Sequence, residues 1–246
     1  MDRRFGISTH LFRDARLSRE HLVHIAAHGF DAIEVSASRP HFDARDPQAV
    51  ARLAEWLTET GLELLSVHAP AGEPAGELQA AIALAARIPY RFLVMHPEPP
   101  AAARVIADLA RAGSSLGVRI AIDMLPSPPS SPERLVRLVE EELEEIDVGI
   151  CLDYGHAHLM GDVGDAIETI SGHAVTTHVH DNDGRRDDHL VPYAGTIDWD
   201  AAMMETQKIG YDGVLMFEVG GPGDPVEALT RAVKARERLQ RAFVTF

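Results

Sequence analysis

Cations are scarce in this 246-residue chain. Lysine occurs only at Lys208 and Lys234, and 23 lysines and arginines face 38 aspartates and glutamates, a formal net charge of −15. Nucleic-acid binding needs clustered cations along the phosphates, so this balance argues against a nucleic-acid partner. An anion would have to be met by arginines, backbone amides or a metal. Cysteine occurs once, at Cys151, which excludes an intrachain disulfide and fits a reducing cytosol. No apolar run approaches the roughly 20 residues of a membrane-crossing helix. The opening MDRRFGIST lacks the apolar stretch of a signal peptide, so a cytoplasmic protein without membrane contact is expected. Also missing is a G-x-G-x-x-G after the first β-rich run, which weakens the case for an open dinucleotide-binding sheet.

What the chain does contain is a rhythm. With 46% apolar and 25% charged residues it reads as globular. Short β-rich runs stand at Phe5–Ser8, Ala32–Val35, Leu62–Val67, Phe92–Met95, Val118–Ile122, Val148–Leu152, Val175–Val179 and Val214–Val219. Most begin about 30 residues apart, the length of one strand, one helix and two loops. Between them lie amphipathic segments with helix punctuation. Asp46-Pro47 starts one that Gly61 ends, and Ser131-Pro132 precedes ERLVRLVEEELEE. Gly29 closes the first helix, and Gly210 and Gly213 bracket the entry to the last strand. LPSPPSSPE is short enough for one loop. Eight such units predict an α/β protein, a (β/α)8 barrel forming one domain over residues 1–246.

In such a barrel, chemistry gathers at the C-terminal ends of the strands. Read in order, those ends carry His10, Glu34, His68, His96, Asp123, Asp153, His178 and Glu218. Each can bind a metal or move a proton. The five later ones close solidly apolar runs (FLVMH, VRIAID, GICLD, AVTTH, VLMFE), where a buried charge demands a partner or an ion. His10 could equally be a loop histidine bonded to backbone, and Glu34 an anchor as readily as a base or ligand. His21, His24 and His28 share a helical face and read as surface residues. His173 reads as a helix end, and His158 as packed or solvent-facing. Cys151 alternates with Asp153 and is expected to point into the barrel as a small packing residue. Asp153 and His156 can face one point across a tight turn. His178 and His180 share one strand face, and Asp187 and His189 form a D-x-H pair that in extended chain points one way. The stretch THVHDNDGRRDDH thus reads as a strand giving one ligand and a loop folding back with two more.

Together these residues resemble the xylose isomerase-like TIM barrels, which include sugar isomerases and epimerases and the type IV apurinic endonucleases. The motifs are GFDAIEV, LELLSVHAP, VMHP, IAID, CLDYGHA, HVHDNDGRRDDHLVPYAGTIDW and FEV, spread over nearly the whole chain. The resemblance implies a core metal held by Asp123, Asp153, His178 and Glu218. Its endonuclease branch adds a wider set matching His68, His96, His156, Asp187 and His189, which would bring one or two further ions. Two features depart from the pattern. The fifth-strand ligand is usually glutamate, where Asp123 is one methylene shorter, and the usual GEG reads YAGT.

The expected activity is therefore a divalent-metal-dependent isomerase or epimerase of a small sugar or polyol-like carbohydrate, working through an enediolate. Glu218, Asp123 and Glu34 are the proton-transfer candidates. His10, His180, Arg185 and Arg186 are assigned to the substrate. Oxygen and nitrogen ligands suit Mn, Zn, Co or Fe. The alternative is metal-dependent phosphoester hydrolysis of the apurinic endonuclease type. Against a DNA substrate stand the loops APAGEPAGE and PEPPAAAR, which offer little cation and no aromatic wedge. GGPGD could cradle an anion or simply start the last helix. A barrel kept only for binding is the least favoured reading, and the sequence leaves a homo-oligomer open.

Overall fold

The computed structural model describes residues 3–69, 75–97, 102–221 and 223–244. Residues 70–74 of APAGEPAGE, 98–101 of PEPPAAAR and Pro222 of GGPGD lie outside them. Eight parallel strands form a single barrel: β1 (Phe5–Ser8), β2 (Ala32–Ser36), β3 (Glu63–Ala69), β4 (Phe92–Met95), β5 (Arg119–Asp123), β6 (Val148–Asp153), β7 (Ala174–His178) and β8 (Leu215–Phe217). Their order in the sheet is β7-β6-β5-β4-β3-β2-β1-β8. Between β7 and β8 the ladder is replaced by a few bonds. Val179 N donates to Met216 O (2.8 Å) and Glu218 N to Val179 O (3.2 Å). The Thr177 hydroxyl fills in, accepting from Met216 N at 3.1 Å and donating to Val214 O at 3.3 Å.

Helices α1 (Arg19–Ala27), α2 (Pro47–Thr60), α3 (Ala75–Leu84), α4 (Ala102–Ser114), α5 (Pro132–Arg137), α6 (Tyr154–Met160), α7 (Val163–Thr169), α8 (Trp199–Lys208) and α9 (Pro225–Val244) follow the strands in turn, with α6 and α7 both between β6 and β7. Their punctuation is local chemistry. The Asp46 carboxylate accepts from Gln48 N (2.9 Å) to cap α2, and Gly61 ends it at φ +70°. One expected helix is shorter. After α5 the chain turns through a π-helical stretch, Leu138–Glu142, where a regular helix would stack Glu140 over Glu144 and Glu141 over Glu145.

Strand alternation separates two kinds of packing. Leu93, Met95, Ile120, Ile122, Ile150 and Leu152 join the main core, while the smaller Val94, Ala121 and Cys151 form an inner cluster and Ala32, Leu65, Val214 and Met216 another. Cys151 does point inward, as expected. Two residues beyond Ala32, Val94, Ala121, Cys151, Thr176 and Met216 stand Glu34, His96, Asp123, Asp153, His178 and Glu218. The titratable residues are thus the top layer of the barrel interior. Register shifts opposite β3 and β7 sustain this. Leu65 and Val175 are extra residues, so that Ser66 pairs with Glu34 and His178 with Asp153. Such bulges re-aim side chains beside functional sites.

Candidate metal centre

Asp123, Asp153 and His178 end β5, β6 and β7, and Glu218 follows β8; all four are buried. Their convergence is centred on His178 Nδ1, which lies 3.4 Å from Glu218 Oε2, 3.5 Å from Asp123 Oδ2 and 3.7 Å from Asp153 Oδ2. This nitrogen has no hydrogen-bond partner among the described residues, and neither does Asp123 Oδ1. Two ligands about 2.1 Å from an ion and about 110° apart lie roughly 3.4 Å from each other. The spacing, the orphaned atoms and the all-N/O donor set therefore fit a divalent cation.

His178 is held from behind. Its Nε2 lies 3.2 Å from Glu34 Oε2, and that carboxylate also accepts from Ser66 Oγ at 2.8 Å. A carboxylate on one ring nitrogen fixes the tautomer and presents the other nitrogen to an ion. Glu34, in the middle of β2 rather than at its end, is thus placed to orient His178. Two more histidines approach the same carboxylates. His68 Nδ1 is 3.0 Å from Glu218 Oε1, while His68 Nε2 and His96 Nε2 lie 3.7 and 3.2 Å from Asp123 Oδ2.

A second group gathers beside this one. Asp153 Oδ1 caps α6 by accepting from His156 N at 2.7 Å. His156 Nε2 and His189 Nε2 lie 3.1 and 3.3 Å from Asp187 Oδ2, and the His180 ring stacks on His189 at 4.0 Å. The D-x-H pair converges through a left-handed His189 (φ 46°) rather than through extended chain. His10, in a short 3-10 turn after β1, stacks on His189 at 4.8 Å, and its Nδ1 is 3.9 Å from Glu218 Oε1. Arg185 and Arg186 are exposed on the turn, where Arg186 pairs with Asp188 at 3.6 Å. His21 takes part in the N-terminal capping of α1 and stacks on Phe12, His24 is exposed, His158 meets Thr196 and His173 meets Glu140; none of them joins either group.

Electrostatically the site is a set of buried charges compensating one another. Burial opposes ionisation of Asp123, Asp153 and Glu218, yet the neighbouring imidazoles, His178 foremost for Asp123 and Glu218 and His156 for Asp153, hold all three below the usual range. Burial likewise disfavours charge on the histidines, but the carboxylates outweigh it. His68 and His178 are raised, His156 is pushed up to about 12 and His189 to about 9. His10 goes the other way, lowered to about 3 by burial and by the cations of His189 and Arg13. Protons thus balance the acids where a cation could, so metal and proton compete for the same groups.

Three contributors escaped the sequence reading. Asp181 is fully buried, and its carboxylate accepts from Asn182 N (2.9 Å), Tyr193 N (2.9 Å), Ile197 N (3.2 Å) and Trp199 Nε1 (2.9 Å), so it organises the loop that carries Asp187 and His189. Its signal was alternation: Asp181 follows His180 on the opposite side of the chain. Ser66 offered none, since its inward aim depends on the bulge. Arg13 meets His10 Nε2 at the mouth.

Residues 22–242 match the family model described as xylose isomerase-like TIM barrel. The chain is 25% identical over 261 residues to the uncharacterized protein MJ1311 of Methanocaldococcus jannaschii, covering 93% of this chain and 87% of that one. Among solved structures it resembles a D-tagatose 3-epimerase-like protein (24% identity, TM-score 0.80, 99% and 97% of the two chains). It also resembles the IOLI protein with a binding zinc atom (18% identity, TM-score 0.80, 100% of both chains). No helix among the described residues is long and apolar enough to cross a membrane.

Proposed function

Because the chain belongs to the xylose isomerase-like TIM barrel family, we propose that it is a divalent-metal-dependent isomerase or epimerase of a small sugar or polyol-like carbohydrate. The observation that carries this reading is the convergence of Asp123, Asp153 and Glu218 on the unpartnered Nδ1 of His178. The zinc atom in one structural neighbour and the epimerase-like identity of another support it. An ion held by these four residues would supply Lewis acidity to a substrate carbonyl and its neighbouring hydroxyl.

The remaining work falls to the chain. Glu218, kept ionised between His178 and His68, is the base for the proton beside the carbonyl. Asp123 is the second candidate carboxylate, one methylene shorter than the family's usual glutamate. Glu34 is fully buried and accepts from His178, so it holds that ring in the tautomer that leaves Nδ1 free. His10, neutral at ordinary pH, lines the mouth beside Glu218 and can meet a substrate hydroxyl.

A second reading, metal-dependent phosphoester hydrolysis, is favoured by one observation: His68 and His96 lie against Asp123 and a further cluster lies beyond Asp153, more ligands than one ion needs. One experiment separates the two. The metal-loaded protein is offered ketoses and aldoses in deuterated solvent, and an abasic DNA duplex in parallel. Deuterium entering next to a sugar carbonyl, lost in Glu218→Gln, is expected. Incision of abasic DNA lost in the same variant, without sugar exchange, would reverse the order.

A further inference from the structure

His180 reads from the sequence as a substrate contact, but its side chain has no exposed surface. Its surroundings assign it elsewhere. All three imidazoles of the outer group have one nitrogen tied off: His156 Nδ1 to Met124 O (2.7 Å), His189 Nδ1 to Glu218 O (2.7 Å) and His180 Nε2 to the Asp153 carboxylate (3.0 and 3.2 Å). Tying off one nitrogen fixes the tautomer and presents the other, the pattern of metal-binding histidines. The nitrogens so presented surround Asp187. His156 Nε2 and His189 Nε2 lie 3.1 and 3.3 Å from its Oδ2, and His180 Nδ1 is 3.9 Å from its Oδ1. One ligand atom from each of the four residues falls within 4.8 Å of the others.

Within this group His180 Nδ1 is the buried nitrogen without a hydrogen-bond partner among the described residues. A buried polar atom left unpaired is costly, and this ring cannot swing away to water. Its other nitrogen is bonded to Asp153, one face is stacked on His189, and the ring lies so close to Gly155 that a Cβ there would overlap it.

We propose that His180 is the fourth protein ligand of a metal site formed with His156, Asp187 and His189, and that this closed site fixes the loop 181–197 rather than touching substrate. Three nitrogens and one oxygen without thiolate suit Zn2+, and four protein ligands leave no position open for chemistry, the mark of a structural ion. Through its Nε2 the same ring steadies Asp153, so the outer ion also holds a carboxylate of the core group in place. The inference stands whichever reaction the core group performs.

The test strips the full chain with chelator and reloads it with Co2+, whose visible absorption is intense in four-coordinate sites and weak in five- or six-coordinate ones. Glu218→Gln, which weakens the core group, should retain one tightly held Co2+ with an intense spectrum. Adding His180→Asn should shift that spectrum, as water takes the vacated position, and weaken binding at least tenfold. Asp187→Asn should do the same without touching the Asp153 contact, and far-UV circular dichroism checks that each variant is folded. A spectrum and affinity unchanged by His180→Asn, while Asp187→Asn alters both, would overturn the proposal, as would a Glu218→Gln protein holding no ion at all. Equal metal content in wild type and Glu218→Gln, with the spectrum still dependent on His180, would support this site and count against the core one.

Discussion

Replacing Asp181 by alanine should damage this protein more than removing any single hydrogen bond. Its carboxylate serves four N–H donors, three from the backbone of 182, 193 and 197 and one from the Trp199 indole, at 2.9–3.2 Å in a fully buried position. Each donor left unpaired costs about 1–3 kcal/mol. A water entering the vacated space would restore some of the bonds, so a net loss of about 4 kcal/mol is expected. Trp199→Phe withdraws one donor and leaves the carboxylate with three, which should cost about 1–2 kcal/mol. Urea unfolding of the metal-free chain avoids the added stability of a bound ion. Its midpoint should fall by on the order of 1 M for Asp181→Ala and clearly less for Trp199→Phe. Proteolysis within 183–187 should rise in the alanine variant. An Asp181→Ala midpoint within error of wild type, or a Trp199→Phe variant equally weakened, would show that this carboxylate does not organise the loop.

Glu34→Gln should weaken metal binding roughly tenfold by loosening the His178 ring; unchanged affinity with collapsed turnover would instead make Glu34 a base that touches substrate. Without metal, the folded-state values of about 9 for His189 and 12 for His156 exceed the unfolded 6.5, so the stability they contribute is complete below about pH 6.5 and fades as pH climbs through 9. The depressed Asp187 and Glu218 contribute above their unfolded values of 3.8 and 4.5 and lose that contribution on acidification. The metal-free melting temperature should therefore fall between pH 6.5 and 9.5, and added Zn2+ should reduce that fall; a metal-free melting temperature that climbs over this range would contradict it. Cys151, buried with its thiol pushed well up by burial, should resist alkylation in the native protein at pH 8; stoichiometric labelling of folded chains would place it at an opening in the barrel.

The barrel and its top layer were legible because both follow from period. Asp123 and Asp153 stand two residues past Ala121 and Cys151, and an acid ending an apolar run marks itself. What period leaves out is how breaks in it aim these side chains, including some the motifs had already named. His178 faces inward because Val175 is an extra residue, and Ser66 reaches Glu34 because Leu65 is another. His189 joins the outer group through a left-handed backbone that an aspartate-rich loop does not announce. Glu34 could be placed on its strand, yet its partners lie 32 and 144 residues away, and no spacing encodes that. The acidic run after α5 looked like more helix because its apolar positions persisted while its like charges accumulated.

The join between β7 and β8 has a mechanical consequence. Every other neighbouring pair of strands is laddered, but here a threonine hydroxyl and a few bonds around Val179 do the work. A cylinder breathes first along its weakest line, and this one has His178 on one lip and Glu218 on the other, their ligand atoms 3.4 Å apart. An ion gripped by both would act as a clasp across the slit. Amide hydrogens at Val179, Met216 and Glu218 would then exchange slowly in the loaded protein and faster after chelation, while those between β4 and β5 would keep their pace. Metal supply would then set how long the barrel stays shut.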